Sequence, residues 1–98
     1  MKLVYVAGKY SGNVETNIKH AEKVSIDLIR QGYAVITPHK NTAYYDIDYD
    51  TIIKMDLEIL SRCDIIYMLK GWEESKGAKI EYDFARKEGI NIFYENNN

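Results

Sequence analysis

Residues 50–69 read DTIIKMDLEILSRCDIIYML and change from a helical to a strand pattern at Asp64. Over residues 50–63 the apolar side chains recur with the period of an amphipathic helix. Residues 65–69 form a short apolar run, which is typical of a buried strand in a parallel sheet. A helix that leads directly into such a strand is characteristic of α/β proteins, so this stretch predicts the fold class.

The rest of the chain continues this alternation on both sides. We predict strands over residues 2–7, 33–37, 65–69 and 90–94, and helices over residues 14–31, 50–63 and 75–88. The order βαβαβαβ implies a doubly wound, three-layer fold of the flavodoxin or Rossmann type, with a parallel sheet of about four strands and right-handed crossovers. We expect a single domain over residues 1–94 and a disordered tail over residues 95–98.

Composition narrows the range of partners. The 98 residues carry a formal net charge of -2 with no cluster of Lys and Arg, which argues against a nucleic-acid polymer as ligand. No apolar run approaches the roughly 20 residues that span a membrane. The single cysteine, Cys63, fits a reducing, cytoplasmic location, and no Cys/His cluster has the spacing of metal ligands. We therefore expect neither a metal nor a cofactor.

Two carboxylates interrupt the apolar faces of the predicted helices. At about 100° per residue, Asp56 falls in the middle of the apolar arc of helix 50–63. Glu81 falls on the buried side of helix 75–88. An unpaired buried carboxylate costs several kcal/mol, so each of these groups must be paired, hydrogen-bonded or protonated.

Two interpretations of these carboxylates stay open at this point. In a structural role, each would accept hydrogen bonds from the backbone or meet a buried cation. In a functional role, the pair would assist cleavage at a sugar carbon, where one carboxylate acts as nucleophile or base and the other protonates or orients. Burial raises the pKa of a carboxyl group and so suits it to proton transfer.

The loops that follow the strands supply further candidates, because ligands of open α/β sheets bind outside the carboxyl ends of the strands. The first loop, GKYSGN over residues 8–13, joins a strand to a helix N-terminus, where it forms either an anion site or a tight turn. Ser75 is either a ligand contact or a helix cap. An aromatic wall of Trp72 with the tyrosines at positions 44, 45 and 49 would stack a base or simply fill the core. The predicted substrate contacts are Gly8, Lys9, Tyr10, Gly12, His39, Trp72, Ser75 and Gly77.

Three motifs extend over nearly the whole chain: Tyr5-Val6-Ala7-Gly8, Asp56 eight residues before Asp64, and Ser75-x-Gly77-x-x-x-Glu81. Together they resemble the nucleoside 2-deoxyribosyltransferase superfamily, including its short branch related to 2′-deoxynucleoside 5′-phosphate N-hydrolases. The third motif, on a helix after the strand that begins near Asp64, is the most specific of the three.

The resemblance implies a role for each matching residue. Glu81 is the implied nucleophile on the anomeric carbon, Asp56 handles the leaving base and the sugar, and Tyr5 orients the glutamate. Ser75 is implied to help hold a phosphate in the hydrolase branch. The resemblance also implies a homodimer or a larger homo-oligomer.

The first loop departs from the hydrolase branch, which carries a serine and an arginine where this chain has Lys9 and Ser11. A lysine supplies positive charge but not the bidentate fork of an arginine, so a preference for a 5′-phosphate stays open. The implied function is cleavage of the N-glycosidic bond of a nucleoside, a deoxynucleoside or its 5′-monophosphate, by hydrolysis or base transfer. The alternatives are a nucleotide-binding module that senses or sequesters its ligand without turnover, and an interaction domain whose carboxylates are structural.

Overall fold

Four parallel strands form one sheet in the part of the chain that a computed structural model describes, residues 1–10, 12–38 and 46–96. They are β1 (Leu3–Ala7), β2 (Ala34–Ile36), β3 (Ile65–Met68) and β4 (Asn91–Tyr94), arranged in the order β2-β1-β3-β4. Tyr5 of β1 pairs with Ile36 on one side and with Ile66 on the other. The predicted α/β class and parallel sheet are confirmed, and the strand boundaries differ from the predicted ones by one residue at most of the ends.

Three helices join these strands, and a polar side chain caps the start of each. They are α1 (Val14–Arg30), α2 (Tyr49–Leu60) and α3 (Lys76–Glu88). The caps are Asn13, Asp48 and Ser75, each of which accepts a hydrogen bond from the third backbone N–H after it. Because Asp48 is the cap, α2 begins at Tyr49, one residue earlier than predicted. None of the helices in the described ranges is long and apolar enough to cross a membrane.

The pleat of β1 separates the core into two layers. Val4 and Val6 point to the face covered by α1, whereas Tyr5 and Ala7 point to the face covered by α2 and α3. The α1 side also buries Ala21, Leu28, Ile65 and Leu69, and the other side buries Leu60, Cys63, Ile66, Met68, Ala78 and Ala85. The helices on both faces make this a three-layer, doubly wound domain.

The connections that follow β1 and β3 leave the sheet on opposite faces. After β1 the chain enters α1, and after the neighbouring strand β3 it enters α3 on the other face. The carboxyl ends of β1 and β3 are therefore the switch point at which open α/β sheets bind ligands. Gly8 follows β1 there, and a Cβ atom at this position would lie 2.7 Å from the Cβ of Leu69. Glycine is therefore required where the two strand ends come together.

Glu95 belongs to the folded domain, although the sequence predicts a disordered tail from this residue onward. Its backbone N–H donates a hydrogen bond to the carbonyl of Met68. Its carboxylate accepts from the backbone N–H of Lys70 at 2.7 Å and lies 2.9 Å from Nε2 of His20. These contacts extend β4 by one residue and fasten its end to both β3 and α1.

Candidate functional site

Tyr5 and Glu81 form a buried hydrogen bond across the α2–α3 side of the sheet. The alternation of β1 directs Tyr5 toward this side, and the period of α3 turns Glu81 toward the same point. The tyrosine hydroxyl donates to Oε2 of Glu81 at 2.5 Å, and the two residues are 0% and 7% exposed. Tyr5 therefore fixes one oxygen of the carboxylate and leaves the other available.

Asp56 lies beside this pair on α2 and is 8% exposed. Its charge acts on both Tyr5 and Glu81, so the three groups form one cluster. No residue in the described ranges forms a hydrogen bond with the Asp56 carboxylate. Because no fully buried side-chain oxygen in those ranges lacks a partner, the oxygens of Asp56 keep contact with solvent. A carboxylate in this position is open to a ligand.

Burial raises the pKa of every group in the cluster. Desolvation raises the pKa of Glu81 to about 8, although the hydrogen bond from Tyr5 opposes this change, and the charge of Asp56 adds to it. Desolvation also raises the pKa of Asp56 to about 6. Burial raises the pKa of Tyr5 as well, so the phenol stays protonated as a donor. Between pH 6 and 8 the two carboxyl groups therefore hold one proton between them.

The start of α3 and the start of α2 meet next to this cluster. Ser75 accepts a hydrogen bond at its Oγ from the backbone N–H of Ala78 at 3.1 Å and so caps the start of α3. A Cβ atom at Gly77 would lie 3.1 Å from the hydroxyl of Tyr49, because the side chain of Tyr49 packs against α3 at this residue. Burial raises the pKa of Tyr49, and the negative charge of nearby Glu81 raises it further. Gly77 thus makes room for a tyrosine at the edge of the cluster.

The first loop carries three of the other predicted contacts. Lys9 forms an ion pair with Glu74 at 3.1 Å, which links this loop to the segment before α3. Tyr10 is 40% exposed, and its carbonyl accepts a hydrogen bond from the side chain of Asn17. Gly12 has a φ of +91°, a left-handed conformation that favours glycine just before α1.

Trp72 lies in the 3₁₀ turn Trp72–Glu74 and packs partly against the α2–α3 core. Its ring stacks on Tyr82 with 4.5 Å between the ring centres, so one of its faces is occupied by the chain itself. His39 and the tyrosines at positions 44 and 45 lie outside the described residues.

Two residues that contact predicted site residues, Tyr49 and Glu74, were not themselves predicted as site residues. Tyr49 was grouped with the other tyrosines, and its contact with Gly77 depends on how α2 and α3 cross. The sequence around Glu74 did not indicate a site residue, because an exposed glutamate before a helix is common. Its partner Lys9 is also far away in sequence. Both contacts arise only from tertiary packing.

The cluster is suited to acid–base and nucleophilic chemistry. A carboxylate oriented by a phenol, next to a second carboxyl group of raised pKa, can supply a nucleophile and a proton donor. No group of three or more His, Cys, Asp or Glu side chains in the described ranges could hold a metal ion.

Two solved structures share this fold. The CMP N-glycosidase of Clostridium botulinum superposes with a TM-score of 0.68 at 24% identity, over 95% of this chain and 67% of the other. The 2-deoxyribosyltransferase of Leishmania mexicana superposes with a TM-score of 0.74 at 17% identity, over 96% of this chain and 63% of the other. The chain thus spans about two thirds of the length of either protein. Comparison with curated protein sequences gave no match.

The chain therefore shares the α/β fold of these two proteins, which is the fold that the resemblance in the sequence implies. The model of one family, described as a domain of unknown function (DUF4406), matches residues 2–94. The chain belongs to this family.

Proposed function

We propose that the protein cleaves the N-glycosidic bond of a nucleoside, a deoxynucleoside or its 5′-monophosphate, with Glu81 as nucleophile. The observation that supports this most is the hydrogen bond from Tyr5 to Glu81 beside Asp56, with all three groups in an apolar layer. The shared fold supports a sugar–base substrate, since the two neighbours are named for an N-glycosidase and a deoxyribosyltransferase. The switch-point location of the cluster is where such a ligand would bind.

The reaction requires one proton on the pair of carboxyl groups. The ionised oxygen of Glu81 attacks C1′ and forms a C–O bond, while the bond between C1′ and the base nitrogen breaks. Asp56 donates its proton to the departing base, or alternatively holds the sugar hydroxyls while the base takes a proton from water. In the second step, water releases the sugar and gives hydrolysis, or a second base gives transfer.

Tyr5 would favour the active distribution of that proton. Its hydroxyl stabilises the ionised form of Glu81 and so moves the shared proton toward Asp56. The pKa of Glu81 stays above that of Asp56 even with this hydrogen bond, so the reactive form, with Glu81 ionised and Asp56 protonated, is the less populated one. Loss of the bond would lower its population further. The phenol is therefore a positioning group that also selects the charge state of the nucleophile.

Release of free base tests the proposal directly. The protein is incubated with nucleosides, deoxynucleosides and their 5′-monophosphates, and free base is measured by chromatography. We expect Glu81→Gln to reduce release by at least about 1,000-fold, because a neutral amide cannot form the glycosyl ester. Glu88→Gln, an exposed change at the end of the same helix, should leave release unchanged.

Thermal unfolding of the same samples separates this proposal from a binding module. A ligand that raises the melting temperature without any release of base favours sensing or sequestration. Release that persists in Glu81→Gln contradicts the nucleophile. A chain that responds to no ligand, and whose carboxylate variants change only in stability, favours a structural role for the cluster.

We also propose that the protein works as a homo-oligomer in a reducing, cytoplasmic compartment. Apolar side chains exposed on α1 and β4 support self-association, among them Ile29 at 56% and Tyr94 at 53%. The single buried thiol of Cys63 supports a reducing environment. Light scattering after size-exclusion chromatography tests the assembly, and a monomer at micromolar concentration would contradict it.

A further inference from the structure

An ion pair joins the two loops that border the candidate site. The ammonium of Lys9 lies 3.1 Å from Oε1 of Glu74. Lys9 is the second residue after β1, and Glu74 directly precedes Ser75, the cap of α3. The pair therefore lies at the switch point, between the loop that follows β1 and the helix that carries Glu81.

Glu74 is paired with Lys9, which is the cation that an anionic ligand would contact at this edge of the sheet. A phosphate at the start of α3 would interact favourably with the helix N-terminus and with Lys9. The carboxylate of Glu74 already holds Lys9. A phosphate that binds Lys9 must displace this carboxylate.

The ion pair is weak enough to be displaced. The side chains of Lys9 and Glu74 are 38% and 69% exposed. Solvent screens such pairs, and they contribute little to stability. A phosphate dianion forms stronger charge-assisted hydrogen bonds than a carboxylate does. The pair therefore acts as a penalty on phosphate binding rather than as a complete block.

We propose that Glu74 is a specificity-determining residue that lowers the affinity for 5′-phosphorylated ligands relative to their unphosphorylated nucleosides by holding Lys9. This inference rests on the proposed function, because it assumes that a nucleoside or nucleotide binds at the carboxyl cluster. A nucleoside leaves the ion pair intact, whereas a nucleoside monophosphate must break it. Removal of the Glu74 charge should therefore affect only the phosphorylated ligand.

The test compares dissociation constants by calorimetry for cytidine, deoxycytidine and their 5′-monophosphates. Each protein also carries Glu81→Gln, so that the ligand is not consumed. We expect Glu74→Gln to raise the affinity for the monophosphates by about five-fold, with a change of less than about two-fold for the nucleosides. The matched control is Glu73→Gln, an exposed change of the same charge one residue away, which should alter the ratio by less than about two-fold.

A second pair of variants tests whether the effect passes through Lys9. In a Lys9→Gln background, Glu74→Gln should no longer change the ratio of the two affinities by more than about two-fold. The proposal is overturned if Glu74→Gln leaves the ratio unchanged, if Glu73→Gln raises it equally, or if the effect persists without Lys9.

Failure of this inference can be distinguished from failure of the proposed function. If none of the four ligands binds to any variant, the role of Glu74 is overturned, and the proposed cleavage is overturned as well only if the wider set of nucleosides and monophosphates yields no free base. If the ligands bind and the ratio changes as expected, but the protein with Glu81 intact releases no base, only the proposed cleavage is overturned. If base is released and the ratio does not change, only the role of Glu74 is overturned.

Discussion

The buried polar groups on the two faces of the sheet differ in their chemistry and in their hydrogen-bond partners. Among the described residues of the α1 face, the buried polar one is Ser25. Its hydroxyl donates to the carbonyl of Ala21 at 2.7 Å and lies 2.7 Å from the hydroxyl of Thr37. On the α2–α3 face the buried polar residues are Asp56 and Glu81. The first face satisfies its polar group within the chain, and the second retains two acids that burial disfavours in their charged form.

Under the proposed function, this difference separates a structural layer from a catalytic one within a small domain. A hydroxyl with internal partners stabilises the fold and needs no ligand. Carboxyl groups whose pKa is raised by desolvation reduce stability when ionised, and proteins retain such groups mainly at functional sites. The strand β1 serves both layers, because successive side chains point to opposite faces. The comparison can be tested by changing one residue on each side.

Asp56→Asn should have the largest effect of the substitutions below. Release of base should fall at least about 100-fold, because an amide cannot donate the proton that the leaving base needs. Stability should change in the opposite direction. Burial raises the pKa of Asp56 from 3.8 to about 6, so the folded protein binds more protons than the unfolded chain in this window. Its stability therefore falls as the pH rises from 3.8 to 6.

The variant Asp56→Asn removes this loss of stability at higher pH, because asparagine does not ionise. Chemical denaturation at pH 8 should give the variant about 1–2 kcal/mol more stability than the parent protein, a figure reduced for the partial solvent contact of the carboxylate. The control is Glu58→Gln, an exposed change on the same helix, which should alter neither activity nor the pH slope beyond about 0.5 kcal/mol. A variant with full activity would show that Asp56 is not part of the reaction.

Tyr5→Phe should reduce base release by about ten-fold to 100-fold. The phenol donates a hydrogen bond to a charged group, which typically contributes about 1.5–3 kcal/mol. Its loss raises the pKa of Glu81 further and so lowers the population of the form in which Glu81 is ionised and Asp56 is protonated. The rate of base release from pH 5 to 9 measures this effect.

Tyr67→Phe is the matched control on the opposite face. Tyr67 is half-buried on β3 and packs against the α1-side core. The variant should retain the parent rate within about two-fold, because it removes a phenol far from the carboxyl pair. Equal losses in the two variants would mean that a general change in packing, rather than the bond to Glu81, controls the rate.

Ser25→Ala should have the smallest effect on function. Loss of the hydrogen bonds to Ala21 and Thr37 should lower stability by about 1 kcal/mol, and base release should stay within about two-fold of the parent rate. Thermal unfolding and the base assay on one preparation measure both quantities. A large loss of activity at the same stability would show that the α1 face contributes to catalysis.

The architecture follows from periodicity alone, because each helix and strand carries a strong local pattern. Asp56 and Glu81 are identifiable for the same reason, since a charge within an apolar helical arc is visible in the sequence. The bond of Tyr5 to Glu81 is not, because it joins residues 76 positions apart through sheet register and helix packing. The resemblance supplied the role of Tyr5, whereas neither pattern nor resemblance indicated the ion pair of Lys9 with Glu74.

The pH dependence of base release tests most directly whether Asp56 and Glu81 act as one singly protonated pair. With pKa values raised to about 6 and about 8, the account predicts a bell-shaped profile with limbs near those values and a maximum near pH 7. Below the first limb both groups are protonated and no nucleophile is available; above the second, no acid is available. A rate that is constant from pH 5 to 9 would contradict a catalytic role for the pair.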